Sequence, residues 1–395
     1  MLKMLVVCSE DVEGFDAAME LVVKGKDALG GEVPRGMLFF TSLLDADYEK
    51  MLQIINDAFP EVPLAGCTTD GEISGELGQT DDTSTLTFFV ADGINFATTV
   101  VRDITPKNDD ALQQACMEAR DTMIQSLPAG QEIKLCLAFP DGLVAYQRPL
   151  VKYVNQALGA GIPLFGGAAG DDYKFVRTYQ FHNREVLTDS MPLMLMAGKL
   201  AFSFGAAHGW NPVSQLARVT KSDYNKVYEI DGMPVLEYYQ RYLGDTLNAT
   251  PGIFAHFALI VLDMEEGGSY LRDPIYPVPE EKALIFAGEV PEGAVVRMAE
   301  IGRDNLVEAV AKSVQIALDN YPGKKIAGAL VFSCASRRNV LGSRVGEESR
   351  LCQDKIGAEV SLAGFYGFGE IAPLGNNSDS ILHNDAFVVL LLGEE

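Results

Sequence analysis

PLAGCTTDGE (residues 63–72), PLFGGAAGDD (163–172) and SLAGFYGFGE (361–370) are three versions of one text. Each begins with a short apolar run, turns at a Leu-x-Gly, and reaches a carboxylate six residues after the shared glycine: Glu72 after Gly66, Asp172 after Gly166 and Glu370 after Gly364. Recurrence at one spacing is the mark of an internal repeat, so the three acids are expected to be equivalent.

Working outward, each copy is preceded by a strand candidate with a Phe just before a polar break: MLFFTS (37–42), LCLAFPDG (135–142) and ALVFSC (329–334), with Phe40, Phe139 and Phe332. Between strand and turn lies a helix candidate. In the first copy Asp45 or Asp47 is placed to cap a helix whose Tyr48, Leu52, Ile55 and Phe59 share a face. Leu150, Val154 and Leu158 do the same in the second after Pro149, and Leu351, Cys352 and Ile356 mark a weaker one in the third. Asp92-Gly93 and Gly198-Lys199 read as turns of hairpins closing copies one and two, and residues 386–392 as the last strand of copy three. Residues 109–126 form an amphipathic helix pattern, with Leu112, Ala115, Ala119 and Met123 on one face. After Trp210 the text changes: 227–244 reads as strand, turn and aromatic-rich helix, 254–300 as a meander, and a helix capped by Asp304, with Val307, Val310, Val314 and Ala317 inward, leads into copy three. The expected fold is mixed α/β, with repeated strand-helix-strand units and antiparallel hairpins in two domains, residues 1–222 and 223–395.

Length favours two domains, and 31 basic against 55 acidic residues leave a net charge of −24. A polyanion gains nothing from counterion release, which argues against nucleic acid and anionic membrane surfaces as partners. The N-terminal run meets Glu10 too soon for a signal peptide, and residues 191–210, interrupted by Lys199, Ser203 and glycines, read as a buried hairpin instead of a membrane span. Six cysteines (Cys8, Cys67, Cys116, Cys136, Cys334, Cys352) include no C-x-x-C pair, so neither a zinc knuckle nor a disulfide framework is expected, and a reduced, cytoplasmic setting follows.

GCTTDGEI, FPDG, PLFGGAAGDD, HGW, VYEIDG, LRDP, FAGEVPEG, LVFSCASRR and GFYGFGEI, in that order across about residues 33–374, resemble the FIST N domain followed by the FIST C domain. The resemblance implies a sensory, signal-transduction protein that binds a small ligand, amino acids among the candidates, and that passes its signal to a protein such as a kinase or a chemotaxis receptor. No output domain is expected beyond the third copy. A branch of the family resembles haem-based nitric-oxide sensors, for which an axial ligand would come from His182, His208, His256 or His383. Haem is therefore the alternative to an expectation of no cofactor.

Glycine turns at strand ends are where ligands collect in α/β sheets. In the first turn the candidate binding residues are Cys67, Thr68, Thr69, Asp70 and Glu72; in the second, Gly167, Asp171 and Asp172, with Asp141 from the preceding strand end. The third contributes Cys334, Arg337, Arg338, Tyr366 and Glu370. Acids such as Asp70, Asp171 or Glu370 suit an ammonium group, and Arg337 or Arg338 a carboxylate. The simpler reading of the same residues is turn chemistry. GGAAG (166–170) lacks the Lys and hydroxyl of a P-loop, and GFYGFG (364–369) has its glycines in the wrong order for a dinucleotide fingerprint. An enzyme would use Cys67 or Cys334 as nucleophile, His383 as base and Glu370 to orient it. A hard cation would need the three repeated carboxylates to converge. Trp210, in His208-Gly209-Trp210, either stacks on a ligand or pins a loop.

Overall fold

The computed structural model describes residues 1–105, 109–244, 256–263, 268–375 and 378–394. The three copies build three six-stranded sheets of identical plan. The first runs Leu2–Ser9, Ser84–Ala91, Gly36–Thr41, Leu64–Thr68, Gln180–His182, Glu185–Leu187. The second runs Ile94–Val101, Met191–Gly198, Ile133–Ala138, Leu164–Gly167, Glu370–Pro373, Ser380–His383. The third runs Leu200–Ala207, Phe387–Glu394, Lys325–Cys334, Ser361–Gly367, Glu72–Ser74, Gly78–Thr80. In every sheet the central pair is parallel and all other neighbours are antiparallel. The outermost two strands of each sheet are a hairpin donated by another copy: copy two to sheet one, copy three to sheet two, copy one to sheet three. The copies are thus interlocked in a cyclic, pseudo-threefold arrangement.

Each repeated glycine sits where its parallel strand pair comes too close for a side chain. A Cβ on Gly66 would stand 1.8 Å from the Phe39 carbonyl oxygen, on Gly166 1.9 Å from that of Ala138, and on Gly364 1.8 Å from that of Val331. The inner faces of the three sheets share one core that contains Phe40, Phe139 and Phe332. These rings gather round Phe365, with centroids at 4.7, 6.3 and 5.5 Å from it. The equivalent positions in the other copies, Cys67 and Gly167, are small; a Cβ on Gly167 would meet the Phe365 ring at 2.9 Å. One large side chain therefore fills a centre where three would collide.

Each outer face carries helices: Gly14–Leu29 and Tyr48–Ala58 on sheet one, Asp109–Ser126 and Leu150–Leu158 on sheet two, Arg303–Asp319 and Gly346–Ile356 on sheet three. Asp47 caps its helix by accepting from Lys50 N at 3.0 Å, as the sequence predicts. Asp304 does not cap: Gly302 is the N-cap, and Asp304 accepts from Arg344 Nη1 at 2.7 Å instead. Between Ala207 and Arg303 the third copy carries an insert, a twisted antiparallel sheet packed on helix Val235–Leu243. The expected meander over 254–300 is seen in its described residues, while 254, 255 and 264–267 lie outside them.

The turns at Asp92-Gly93 and Gly198-Lys199 do not close hairpins. Both edges of Ser84–Ala91 are already paired, by Leu2–Ser9 and Gly36–Thr41, so Ile94–Val101 begins the next sheet. Met191–Gly198 and Leu200–Ala207 separate for the same reason, which corrects the hairpin expected over 191–210. The boundary expected near 222 falls within the strand Ala217–Asp223 of the insert. Copy three completes its sheet with Leu200–Ala207 and with the hairpin of copy one. Among the described residues no helix is long and apolar enough to cross a membrane.

Candidate functional site

The three glycine turns converge and lace together. Gly170 N donates to Thr68 O (2.9 Å), Phe368 N to Ala168 O (3.0 Å) and Asp70 N to Tyr366 O (2.7 Å), each from one copy to another. Asp70, Gly170 and Phe368 are all four residues past their shared glycine, so the register of the sequence repeat holds to that point. It then fails in copy two. Glu72 pairs with Phe365 and Glu370 with Gly167, each one residue past a shared glycine; the corresponding partner of Cys67 is Gln180. The eight residues from Asp172 to Tyr179 are an extra loop, so Gln180, not Asp172, is the equivalent of Glu72 and Glu370.

The acids do not point at one guest, which corrects the expectation of a shared carboxylate pocket. Glu72 is fully buried and accepts from Ser42 Oγ (2.7 Å), Thr69 Oγ1 (2.5 Å) and Thr83 Oγ1 (2.6 Å) within its own copy. Burial pushes its carboxyl up to about 7 against the pull of these hydroxyls. Asp171 accepts the backbone N–H groups of Phe175, Val176 and Arg177 at 2.7–3.0 Å, tying down the extra loop. Asp141 does the same for Leu143 and Asp189. Asp70 holds the loop from below through Tyr173 N (3.3 Å), and its other oxygen has no partner among the described residues. Burial raises its carboxyl to about 8, with Arg338 pulling it down. Turn chemistry therefore accounts for Asp141 and Asp171.

The adjacent arginines differ sharply. Arg337 is wholly buried and saturated: it is ion-paired with Glu348 and donates to His208 O (2.9 Å), Leu306 O (3.0 Å) and Asp385 O (3.1 Å). Ser333 Oγ (3.1 Å) and Tyr366 Oη (2.8 Å) complete the shell of Glu348, so Tyr366 is a structural donor too. The expectation that Arg337 meets a ligand is corrected by this saturation. Arg338 is different. Its side chain is 21% exposed and bridges Asp172 Oδ1 through Nη1 (3.0 Å) and Asp81 Oδ1 through Nη2 (3.0 Å). This clamp closes one side of a cavity of about 340 Å³ whose wall also includes Tyr173, Asn339 and Gly342. Three copies contribute: Asp81 from the first, the extra loop from the second, and Arg338 from the third.

Thr68 and Thr69 serve the turns; Thr68 Oγ1 accepts from Tyr179 N at 3.0 Å. Cys67 and Cys334 are buried, and burial raises both thiols well above their ordinary range, the reverse of what a nucleophile needs. His383, the base of that reading, donates or accepts at Nε2 with Ala372 O (3.1 Å), and burial lowers it to about 4. His208 Nδ1 accepts from Trp210 N (3.0 Å), and His182 pairs with Glu185. His256 is exposed, and none of the four cavities described has a histidine in its wall, so none of these four offers a haem an axial histidine. Sequence reasoning missed Asp81, Tyr173, Asp273 and Asp385. A signal for the last was present: Asp82, Asp189 and Asp385 precede the closing strand of each copy with φ of 53°, 47° and 54°. The unequal hairpins between them and the Leu-x-Gly turns hide it.

The chain belongs to the FIST family: the FIST N domain matches residues 36–233 and the FIST C domain residues 236–373. An uncharacterised protein of Methanocaldococcus jannaschii is 24% identical over 321 residues, which cover 75% of this chain and 61% of that protein. The chain thus spans about three fifths of the length of that relative. Among solved structures, one cyanuric acid hydrolase aligns over 100% of both chains at 7% identity with a TM-score of 0.39. Another, from A. caulinodans, aligns over 100% of this chain and 99% of its own at 10% identity with a TM-score of 0.36. Likeness at that level carries no argument about this chain.

Proposed function

We propose that this protein is a sensory module that binds a small zwitterion, an amino acid, in the cavity beside Arg338. The observation that carries the reading is the clamp itself. A planar guanidinium with both amino nitrogens facing carboxylates is built for bidentate capture, and a half-buried site strengthens it. A ligand carboxylate takes the place of Asp172 on Arg338, and the ligand ammonium takes up the acid so released together with Asp81. The size of the cavity, about 340 Å³, suits a small guest. Because Asp172 sits on the extra loop of copy two, exchange of its partner moves that loop, and a moved surface loop is a means of signalling to a partner such as a kinase or chemoreceptor. A thermal-shift screen of the proteinogenic amino acids against the full chain tests the reading. At least one is expected to raise Tm in the wild type and to lose that effect in Arg338→Gln. Protection by none of them, or equal protection of the variant, refutes it.

A further inference from the structure

Away from that cavity, where the insert covers the strand ends of copy three, four acidic or thiol side chains meet in the interior. Cys334 ends the central strand of sheet three, Asp385 occupies the left-handed turn before the closing strand, and Glu370 opens the hairpin given to sheet two. Asp273 comes from the insert, in the Leu-Arg-Asp-Pro turn, and its N–H donates to Asn384 Oδ1 at 3.2 Å. Ligand atoms of Asp273, Cys334 and Asp385 all lie within 4.8 Å of one another. Glu370 lies against Cys334.

Glu370 Oε2 accepts from Ala386 N (2.9 Å), but other carboxylate oxygens here lack close donors. Among the described residues no N–H or O–H comes within full hydrogen-bonding distance of Asp273 Oδ1, Glu370 Oε1 or either carboxylate oxygen of Asp385; the Trp210 indole N–H and the Cys334 thiol face Asp385 from just beyond it. Glu370 and Asp385 are fully buried. The two nearby cations are committed elsewhere. Arg337 is paired with Glu348, and Arg272 donates to the backbone oxygens of Glu289, Leu271 and Leu382. Buried carboxylates without compensation are costly, so an arrangement that gathers three of them calls for a counter-charge.

The other two copies serve as internal controls. The N–H groups of Ser42, Asp141 and Cys334 donate to Thr83 O, Ser190 O and Ala386 O, which makes these three residues equivalent. In copy one Ser42 Oγ donates to Glu72; in copy two Asp141 accepts from Asp189 N, and Gln180 stands where the others have an acid. The acids of both have donors, and the one oxygen left over, Gln180 Oε1, is neutral. Only copy three combines a thiol, two acids of its own with unpartnered oxygens and a third brought by the insert.

We propose that Asp273, Cys334 and Asp385 bind one divalent transition-metal ion of the zinc type, fastening the insert to the third copy. One thiolate and two carboxylates suit a borderline-soft ion better than a hard one. Ideal zinc bond lengths place neighbouring ligand atoms about 3.5 Å apart, so the trio closes by roughly 1 Å on binding. Ser336 Oγ, which donates to Cys334 Sγ at 3.5 Å, is the outer partner that orients the sulfur. Binding expels the Cys334 proton and any shared by the acids to solvent, and the ion's charge replaces them. The single tryptophan stands at the rim and reports occupancy.

The test uses the full chain, expressed with zinc or refolded with Co²⁺. Elemental analysis is expected to find about one ion per chain. Co²⁺ is expected to give a sulfur-to-metal charge-transfer band and to quench Trp210. Cys334→Ser removes the band, and Asp385→Asn weakens binding by more than the roughly 10–100-fold typical of outer-shell losses. Chelation of the wild type lowers Tm. If a variant fails to fold, the wild-type band and quenching still decide. A metal-free protein that shows neither band nor quenching with Co²⁺, its acids neutralised by protons alone, overturns the proposal. So does a band that survives Cys334→Ser.

Discussion

Removing Arg337 should be among the most damaging single changes in this chain. Arg337→Ala deletes the ion pair to Glu348 and three bonds that tie together the backbone of His208, Leu306 and Asp385, all in the interior. It leaves Glu348 buried with only Ser333 and Tyr366 as donors. Breaking a buried pair from one side costs about 3–5 kcal/mol. At roughly 2–4 °C per kcal/mol for a domain of moderate size, Tm falls by on the order of 10 °C. Urea denaturation followed by circular dichroism and by the fluorescence of Trp210 measures the loss. The double variant Arg337→Met, Glu348→Leu removes both charges and should recover part of it, because an apolar pair of similar volume has no desolvation cost while the carbonyls of His208, Leu306 and Asp385 stay without their donor. Stability of Arg337→Ala within about 1 kcal/mol of the wild type would refute the assignment of Arg337 to the scaffold.

Other outcomes follow from the same geometry. Gly364→Ala places a Cβ 1.8 Å from a backbone oxygen that cannot retreat, so the strand pair must part; a loss of several kcal/mol in urea melts is expected, and a neutral result contradicts the close approach. Phe365→Ala empties the centre of the shared core and should cost about 3–5 kcal/mol, read by the same melts, with Phe365→Leu recovering part of it. Burial pushes the carboxyls of Asp70 and Glu72 in the folded chain up to about 8 and about 7, from ordinary values of 3.8 and 4.5. A raised carboxyl binds its proton more tightly when folded, so the stability it contributes is complete below the unfolded value and is lost as pH rises through the folded one. Stability should therefore decline between pH values of about 4 and 8, and Asp70→Asn should flatten the upper part of that decline; a rising profile there contradicts the burial assigned to Asp70.

The repeat was legible because glycine at a forced backbone approach and Phe at a strand end are both dictated by packing, and both recur at fixed spacing. Helices read well for the same reason: Asp109–Ser126 and Leu150–Leu158 lie where their apolar periodicity places them. Pairing between strands was not legible. A two-residue turn such as Asp92-Gly93 looks alike whether its strands pair or part, and the answer depends on edges already taken by distant segments. The site was legible only in part. Arg338 and Asp172 stood out by residue type, but Asp81 reads as ordinary loop acid, and nothing local separates the partly exposed Arg338 from the wholly buried Arg337. The counting rule assigned Asp172 to a role held by Gln180, because an extra loop preserves spacing by chance. Asp273 is brought to Cys334 and Asp385 by the insert, across 61 and 112 positions, which no local pattern encodes.

Titration calorimetry of wild type and Arg338→Gln, with whichever amino acid most raises Tm, addresses the binding site head-on. Saturable binding at about one equivalent, weakened at least tenfold by the substitution, is the result expected from loss of a charge-assisted contact of about 1.5–3 kcal/mol. Equal affinity in the two proteins would place the ligand elsewhere and contradict the clamp.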